Sequence, residues 1–123
     1  MLCRLESWYH MDKKSLIDYC LTYADTFVNY PFDDNWACIR HVGNKKNFAF
    51  VYDWDGKLRV NLKAEPIKSH FLRQMYSGIA AGHHMNKEHW NTVTIGEDVP
   101  DAELFEMISH SYNLTKPSVK KVR

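Results

Sequence analysis

The chain has 123 residues, of which 45% are hydrophobic and 25% charged, and its formal net charge is +1. This composition excludes a disordered chain and favours one globular domain, here predicted to span residues 1–123. No apolar run approaches the roughly 20 residues of a membrane span, and the first residues lack the apolar stretch of a secretion signal. Three cysteines without a C-x-x-C motif argue against a disulfide framework. We therefore expect a cytoplasmic protein with no membrane partner and with Cys20 and Cys38 in its core.

A first helix is predicted to begin near Met11. Asp12 is a favourable N-cap, and the pair Met11 and Leu16 matches a hydrophobic staple. Apolar residues then recur at helical spacing: Leu16, Ile17, Cys20, Tyr23, Ala24 and Phe27. Residues 1–10 precede this helix as an N-terminal extension, and Met11 is an alternative start of translation.

Three strand-like segments follow the turn-forming stretch at residues 30–35. They read WACIRHV, NFAFVY and KLRVNLK, and the turn signals GNKK and DWDGK separate them. Turns this short join antiparallel strands. The third segment alternates and therefore has two faces. Its predicted buried face consists of Leu58, Val60 and Leu62. Its opposite face consists of Arg59, Asn61 and Lys63, of which Arg59 and Lys63 should be exposed.

The second half of the chain predicts two helices and two short strands. Pro66 suits the first position of a helix, and the predicted buried stripe of that helix is Ile67, Phe71, Leu72 and Met75. Short strands in GIAAGHH and WNTVTI flank a histidine-rich segment, and DVPDAELFEMISHSY predicts a last helix. Residues 116–123 form a basic tail that should fray. The order α-β-β-β-α-β-β-α predicts an α+β fold, a two-layer sandwich whose antiparallel sheet carries helices on one face.

Five segments occur together and in a fixed order: DNWACIRHVGNKKNFAFVY, GKLRVNLKAEP, FLRQMYSG, GHHMNKEHWNTV and SYNL. In this respect the chain resembles the MmcQ/YjbR family of small bacterial proteins, over roughly residues 13–114. The resemblance implies a fold like that of secretion chaperones, with the same element order. It also implies the function predicted for the family, which is DNA binding through a "double-wing" motif. His83 departs from the family pattern, which makes it a weak candidate for a metal ligand.

Positive charge is concentrated in residues 40–73, which hold eight basic and three acidic residues. The candidate nucleic-acid-binding residues are Lys45 and Lys46 at one hairpin tip, Lys57 beside the other tip, and Arg59 and Lys63 on the polar face of the third strand. Two basic wings of this kind can straddle a phosphate backbone. The alternative is a solvated sheet face whose lysines protect strand edges. A nucleic-acid-binding module with DNA as its partner is the first functional hypothesis.

The segment GHHMNKEHWNTV raises the question of a metal site. His84 and His89 are five residues apart, which matches no zinc-binding motif. If His83 and His84 lie in a strand, they point to opposite faces. A turn capped locally by Asn86 is therefore favoured over a metal site, whose ligands would be His84 and His89. The alternative is a pocket or partner surface. Its candidate residues are Trp36, Arg73, His84, Asn86, Lys87, His89 and Trp90.

The second functional hypothesis is a protein- or peptide-binding module, by analogy with secretion chaperones. A small-molecule-binding protein or an enzyme ranks third. The sequence has no G-x-S-x-G motif, P-loop or G-x-G-x-x-G motif. We therefore predict no catalytic residue, no metal and no cofactor, and we leave the oligomeric state open.

Overall fold

A computed structural model describes residues 11–118, so the predicted N-terminal extension and residues 119–123 of the tail lie outside the described part. The elements are α1 (Lys13–Cys20), β1 (Thr26–Asn29), β2 (Ala37–His41), β3 (Asn47–Trp54), β4 (Lys57–Lys63), α2 (Pro66–Met75), β5 (Ile79–Ala81), β6 (Trp90–Thr94) and α3 (Asp101–Thr115). The six strands form one antiparallel sheet in the order β1-β2-β3-β4-β6-β5. The predicted α+β class is confirmed. No helix within residues 11–118 is long and apolar enough to cross a lipid bilayer.

The helices pack on one face of the sheet, and the main core lies between these two layers. Val60 and Leu62 of β4 are fully buried there in a cluster that includes residues of all three helices, and Leu58 is partly buried beside them. The predicted register of β4 is therefore confirmed. Arg59 and Lys63 do point away from the helices, but both are half-buried rather than exposed. Cys20 and Cys38 are buried free thiols, as predicted.

The first helix is shorter than predicted. Asp12 caps it as expected, since its carboxylate accepts a hydrogen bond from the Ser15 amide at 2.8 Å. The helix ends at Cys20, and the chain turns through Asp25, whose φ is 56°. The predicted helical residue Phe27 then lies in the edge strand β1, which pairs with β2. The prediction was wrong here because apolar residues at this spacing also fit an alternating strand.

The predicted buried stripe of α2 is correct only at Leu72. Pro66 begins the helix as predicted, but only Ser69 and Leu72 are buried. Ile67, Phe71 and Met75 are 86%, 58% and 50% exposed. These three residues are four positions apart and form one line along the outer surface of the helix, called the α2 stripe below. Periodicity predicted an apolar face correctly, and tertiary packing selected a different face for burial.

Candidate functional site on the open face of the sheet

The sheet face opposite the helices, called the open face below, carries basic and aromatic side chains. Cross-strand pairing places Tyr52 opposite Arg59 and Trp54 opposite Lys57, so these four side chains share one face. Lys63 lies further along the same face of β4, opposite Trp90 of β6. The alternation that buries Val60 and Leu62 against the helices therefore brings these residues together on the other side.

A loop of residues 82–89 folds back over the centre of this face. Met85 packs against a second, smaller cluster formed by Cys38, Phe50, Tyr52, Trp36 and Trp90. The prediction of a strand through His83 and His84 was wrong, because β5 ends at Ala81 and His84 has a left-handed φ of 61°. The loop is therefore a compact turn whose side chains contact the sheet.

The turn is held by its own polar groups and by α2. Asn86 caps it locally, as predicted, since its side-chain oxygen accepts hydrogen bonds from the amides of Glu88 and His89 at 2.9 and 3.3 Å. Arg73 donates to the carbonyl oxygens of Lys87 and Trp90 and to the side chain of Asn91. These contacts give Arg73 a structural role in positioning the loop.

A buried hydrogen-bond network fixes His83 to the sheet. The His83 amide donates to the hydroxyl of Thr92 at 2.7 Å, and that hydroxyl donates to Oδ1 of Asn61 at 2.7 Å. Asn61 is fully buried, and its side-chain amide donates to the His83 carbonyl at 2.9 Å. The Tyr52 hydroxyl donates to the same Oδ1 at 2.7 Å. Both backbone polar groups of His83 are thus tied to β4 and β6, which sets the position of its ring.

Four aromatic rings surround the imidazole of His83. Its centroid lies 4.0 Å from that of His84, 4.5 Å from Trp54, 5.9 Å from Tyr52 and 6.4 Å from Trp36. Trp36 stacks on Tyr52 at 3.9 Å with an interplanar angle of 9°. These five residues are called the ring cluster below. Trp54 and His84 form its exposed edge.

The environment of His83 disfavours protonation of its imidazole. Burial lowers the pKa of His83, and the neighbouring His84, Arg59 and Lys87 lower this pKa further. Within the described residues, Nε2 of His83 and Nε of Arg59 are buried and have no hydrogen-bond partner. Burying such a group without a partner costs about 1–3 kcal/mol. The ring cluster and the neighbouring Arg59 therefore each contain one polar atom whose hydrogen-bonding capacity the described residues do not use.

His84 and His89, the two histidines that the disfavoured metal site would use, lie in different surroundings. His84 joins the ring cluster, whereas His89 lies at the end of the loop, where its carbonyl accepts the amide of Ala64 at 2.8 Å. Within residues 11–118 no three histidine, cysteine or acidic side chains are grouped so that they could hold a metal ion. His83, which was the weakest candidate for a metal ligand in the sequence, is the histidine at the centre of the ring cluster.

The basic candidates differ in how they are paired. Lys57 forms an ion pair with Glu97 at 2.8 Å. Within the described residues, no salt bridge includes Arg40, Lys45, Lys46, Arg59 or Lys63. Arg40 lies on the open face opposite Phe27, and the ammonium group of Lys45 sits 5.7 Å from the Phe27 ring centroid. Arg40 and Lys45 therefore extend the basic open face toward the β2–β3 turn.

The two hairpin tips lie at opposite ends of β3. Lys45 and Lys46 precede this strand, and Lys57 follows the turn at Asp55 and Gly56. The positive φ angles of 55° and 76° at Asp55 and Gly56 confirm the predicted tight turn. At about 3.3 Å per residue, the eight residues of β3 separate the tips by roughly 26 Å. That separation exceeds the width of either groove of B-DNA, which is about 6 or 12 Å.

Four residues of this site were not among the predicted site residues: Tyr52, Trp54, Asn61 and His83. A signal for three of them was present in the alternation of β3 and β4. Phe50, Tyr52 and Trp54 are two residues apart, and the hairpin turn pairs them with Asn61, Arg59 and Lys57. His83 gave no comparable signal because its contacts depend on the path of a loop.

These features define a two-layer α+β domain with one helix-covered sheet face and one open face that carries basic and aromatic side chains. The chain belongs to the YjbR family, whose sequence profile matches residues 21–114. It is 35% identical over 115 residues to the uncharacterized protein YbdF of Escherichia coli O157:H7, covering 90% of this chain and 93% of that protein. It is 33% identical to the uncharacterized protein YyaQ of Bacillus subtilis, in a match that covers 94% of this chain and 100% of that protein.

Solved structures have the same fold. A crystal structure of a Pseudomonas syringae protein superposes with a TM-score of 0.78 at 30% identity, covering 85% of this chain and 99% of that one. A Deinococcus radiodurans protein, described as a DUF419 domain, superposes with a TM-score of 0.74 at 32% identity. That match covers 82% of this chain and 75% of the other. The family fold therefore extends over most of the described residues.

Proposed function

We propose that the protein is a nucleic-acid-binding module whose contact surface is the open face of the sheet. The observation that carries this proposal is the set of basic side chains without carboxylate partners within the described residues, namely Arg40, Lys45, Lys46, Arg59 and Lys63. A phosphate backbone offers negative charge to such a surface, and its condensed counterions are released on binding. The aromatic rings on the same face add stacking surfaces for bases.

This surface replaces the two straddling wings that the sequence suggested. The separation of roughly 26 Å between the hairpin tips argues against their entering one groove together. Lys57 contributes little charge to a phosphate because Glu97 already neutralises it. The face between the tips is a better contact surface, since Arg59 and Lys63 project from it.

Replacing Lys45, Lys46 and Lys63 together by glutamine is expected to weaken nucleic-acid binding without unfolding the protein. Each phosphate contact contributes a slope of about −0.9 to the dependence of log affinity on log salt. The triple variant should therefore flatten this slope by about 2 to 3. Fluorescence anisotropy with a labelled oligonucleotide, measured over a series of salt concentrations, reports the slope.

A matched control removes the same charge elsewhere. Lys14, Lys68 and Lys116 are exposed and lie on α1, on α2 and at the end of α3. Their joint replacement by glutamine should leave the slope near that of the wild type. Equal losses in the two triple variants would mean that only overall charge matters. Absence of binding by the wild type at low salt, where electrostatic contacts are strongest, would refute nucleic-acid binding itself.

The α2 stripe supports a second candidate function, binding of a protein or peptide. Ile67, Phe71 and Met75 expose an apolar line of helical spacing, with Lys68 and His70 beside it. An amphipathic helix with acidic flanks is complementary to this surface. This candidate uses the helix layer, which lies opposite the proposed nucleic-acid surface.

Peptides of this kind should bind the wild type and lose most of their affinity for Phe71→Glu. The peptides can be selected from a display library of amphipathic helices and titrated by calorimetry. Asn113→Glu is the control, because it adds the same charge at an exposed position of α3, outside the α2 stripe. Selected peptides that bind Phe71→Glu as tightly as the wild type would exclude the α2 stripe as their site.

A further inference from the structure

We propose that the open face binds a single-stranded segment of nucleic acid and stacks one base on the exposed edge of the ring cluster, at Trp54 and His84. This inference rests on the proposed nucleic-acid-binding function and specifies the form of the ligand. It assigns a task to side chains that the charge argument does not use. It also accounts for the exposure of a large aromatic ring beside Arg59.

Trp54 presents an open ring surface on the basic side of the sheet. Its side chain is 45% exposed, although it is one of the largest apolar groups in the chain. One contact of its ring is the imidazole of His83, with centroids 4.5 Å apart. The exposed ring of His84 stands nearly perpendicular to Trp54, at 88° and 6.2 Å. Two exposed rings at this angle form a corner into which the flat face of a base can pack.

The corner is rigidly supported. His83 lies beneath both exposed rings, and Asn61 and Thr92 hold its backbone in the buried network. Trp36 and Tyr52 stack on each other with ring centroids 3.9 Å apart, and they lie 6.4 and 5.9 Å from the His83 ring. A ligand that stacks on a preformed surface loses less free energy to ordering of the protein. The hydrogen-bond network therefore keeps the corner in its binding geometry before the ligand arrives.

Positive charge extends along the sheet from the corner toward the opposite end of β3 and β4. Arg59 pairs with Tyr52 next to the ring cluster, and Arg40 and Lys63 lie nearer the other end of the open face. The distance between the hairpin tips is suited to a few nucleotides of an extended strand, at the lower end of the usual site size of about 4–16 nucleotides. A strand that places one base on Trp54 can thus place its neighbouring phosphates near these side chains.

A double helix does not fit this arrangement equally well. Bases inside a duplex are already stacked on one another, so their flat faces cannot pack against Trp54. The hairpin tips are too far apart to share a groove. Rings on a sheet face instead resemble the platforms by which other proteins read unpaired bases. We therefore assign the open face to an unpaired strand.

The test compares single-stranded and duplex oligonucleotides of about ten nucleotides, titrated by fluorescence anisotropy at low salt. The wild type should bind the single strand more tightly than the duplex. Trp54→Leu should weaken single-strand binding roughly ten-fold, because one stacking contact is lost, while the salt slope stays unchanged. Trp54→Tyr keeps a ring and should restore most of the affinity. Phe71→Leu is the matched control, since it alters an exposed ring on the helix layer.

The outcomes separate this inference from the proposed function. If the wild type prefers the duplex, or if Trp54→Leu binds the single strand like the wild type, the stacking site is refuted while nucleic-acid binding stands. If neither oligonucleotide binds at low salt, the proposed function fails and the inference fails with it. Thermal melting of each variant excludes unfolding as the cause of a loss, and His84→Asn repeats the test at the second ring with a residue that tolerates the left-handed backbone.

Discussion

Val60→Asp is expected to abolish the native fold. Val60 is fully buried in β4, where it pairs with Val51 of β3 and Val93 of β6 beneath the helices. A carboxylate at this position loses its hydration without gaining a partner, which costs several kcal/mol. The free energy of unfolding of a natural domain is only about 5–15 kcal/mol. Circular dichroism and thermal melting should therefore show an unfolded chain at room temperature.

Thr94→Asp provides the control for this experiment. Thr94 is half-buried on the open face and lies directly opposite Arg59. An aspartate there introduces the same group next to a positive charge, so its effect should stay within about 1 kcal/mol. If Val60→Asp melts like the wild type, Val60 does not face the helices and the register of β4 is wrong.

The hairpin of β3 and β4 shows which features local sequence determines. Asp55 and Gly56 specify a tight turn, and the alternation around Val60 specifies the face that is buried. Both signals come from residues close together in the chain. The strands, their antiparallel pairing and the register of β4 were therefore predictable without knowledge of distant contacts.

In the helices, local sequence does not determine which residues are buried. An amphipathic pattern states that a helix has an apolar face, but packing decides which residues the rest of the protein covers. In α2 the layer beneath covers Ser69 and Leu72 and leaves Phe71 exposed. At the end of α1, Phe27 satisfied helical spacing and strand spacing equally, and pairing with β2 decided between them.

The candidate site depends on distant contacts even more strongly. Trp36, Tyr52 and His83 come from three separate parts of the chain and meet only because the loop folds over the sheet. Local sequence predicts a strand through His83, and such a strand would separate the His83 ring from that of His84. The concentration of basic residues in the middle of the chain was predictable, because it can be counted in the sequence. The pairing of Lys57 with Glu97 was not, because 40 positions separate the two residues.

The largest effect expected on the open face is that of Asn61→Ala. Within the described residues, the Tyr52 hydroxyl donates a hydrogen bond only to Oδ1 of Asn61. The same oxygen accepts from the Thr92 hydroxyl, and the side-chain amide of Asn61 donates to the His83 carbonyl. Truncation leaves these buried groups without a partner, at about 1–3 kcal/mol for each that stays unsatisfied. We expect a loss of about 3 kcal/mol in the free energy of unfolding, measured by urea denaturation.

Tyr52→Phe is the control, because it shows the effect of losing a single buried hydrogen bond while the rest of the network stays in place. That variant removes one hydroxyl, but Oδ1 of Asn61 still accepts from Thr92, so the expected loss is about 1 kcal/mol. Hydrogen exchange provides a second readout. Asn61→Ala should speed exchange at the His83 amide and in the loop of residues 82–89, whereas Tyr52→Phe should leave it slow. Equal losses and equal exchange in the two variants would show that Asn61 does not organise the loop. Faster exchange in Asn61→Ala alone would mean that the buried side-chain amide of Asn61 holds the loop of residues 82–89 against the sheet.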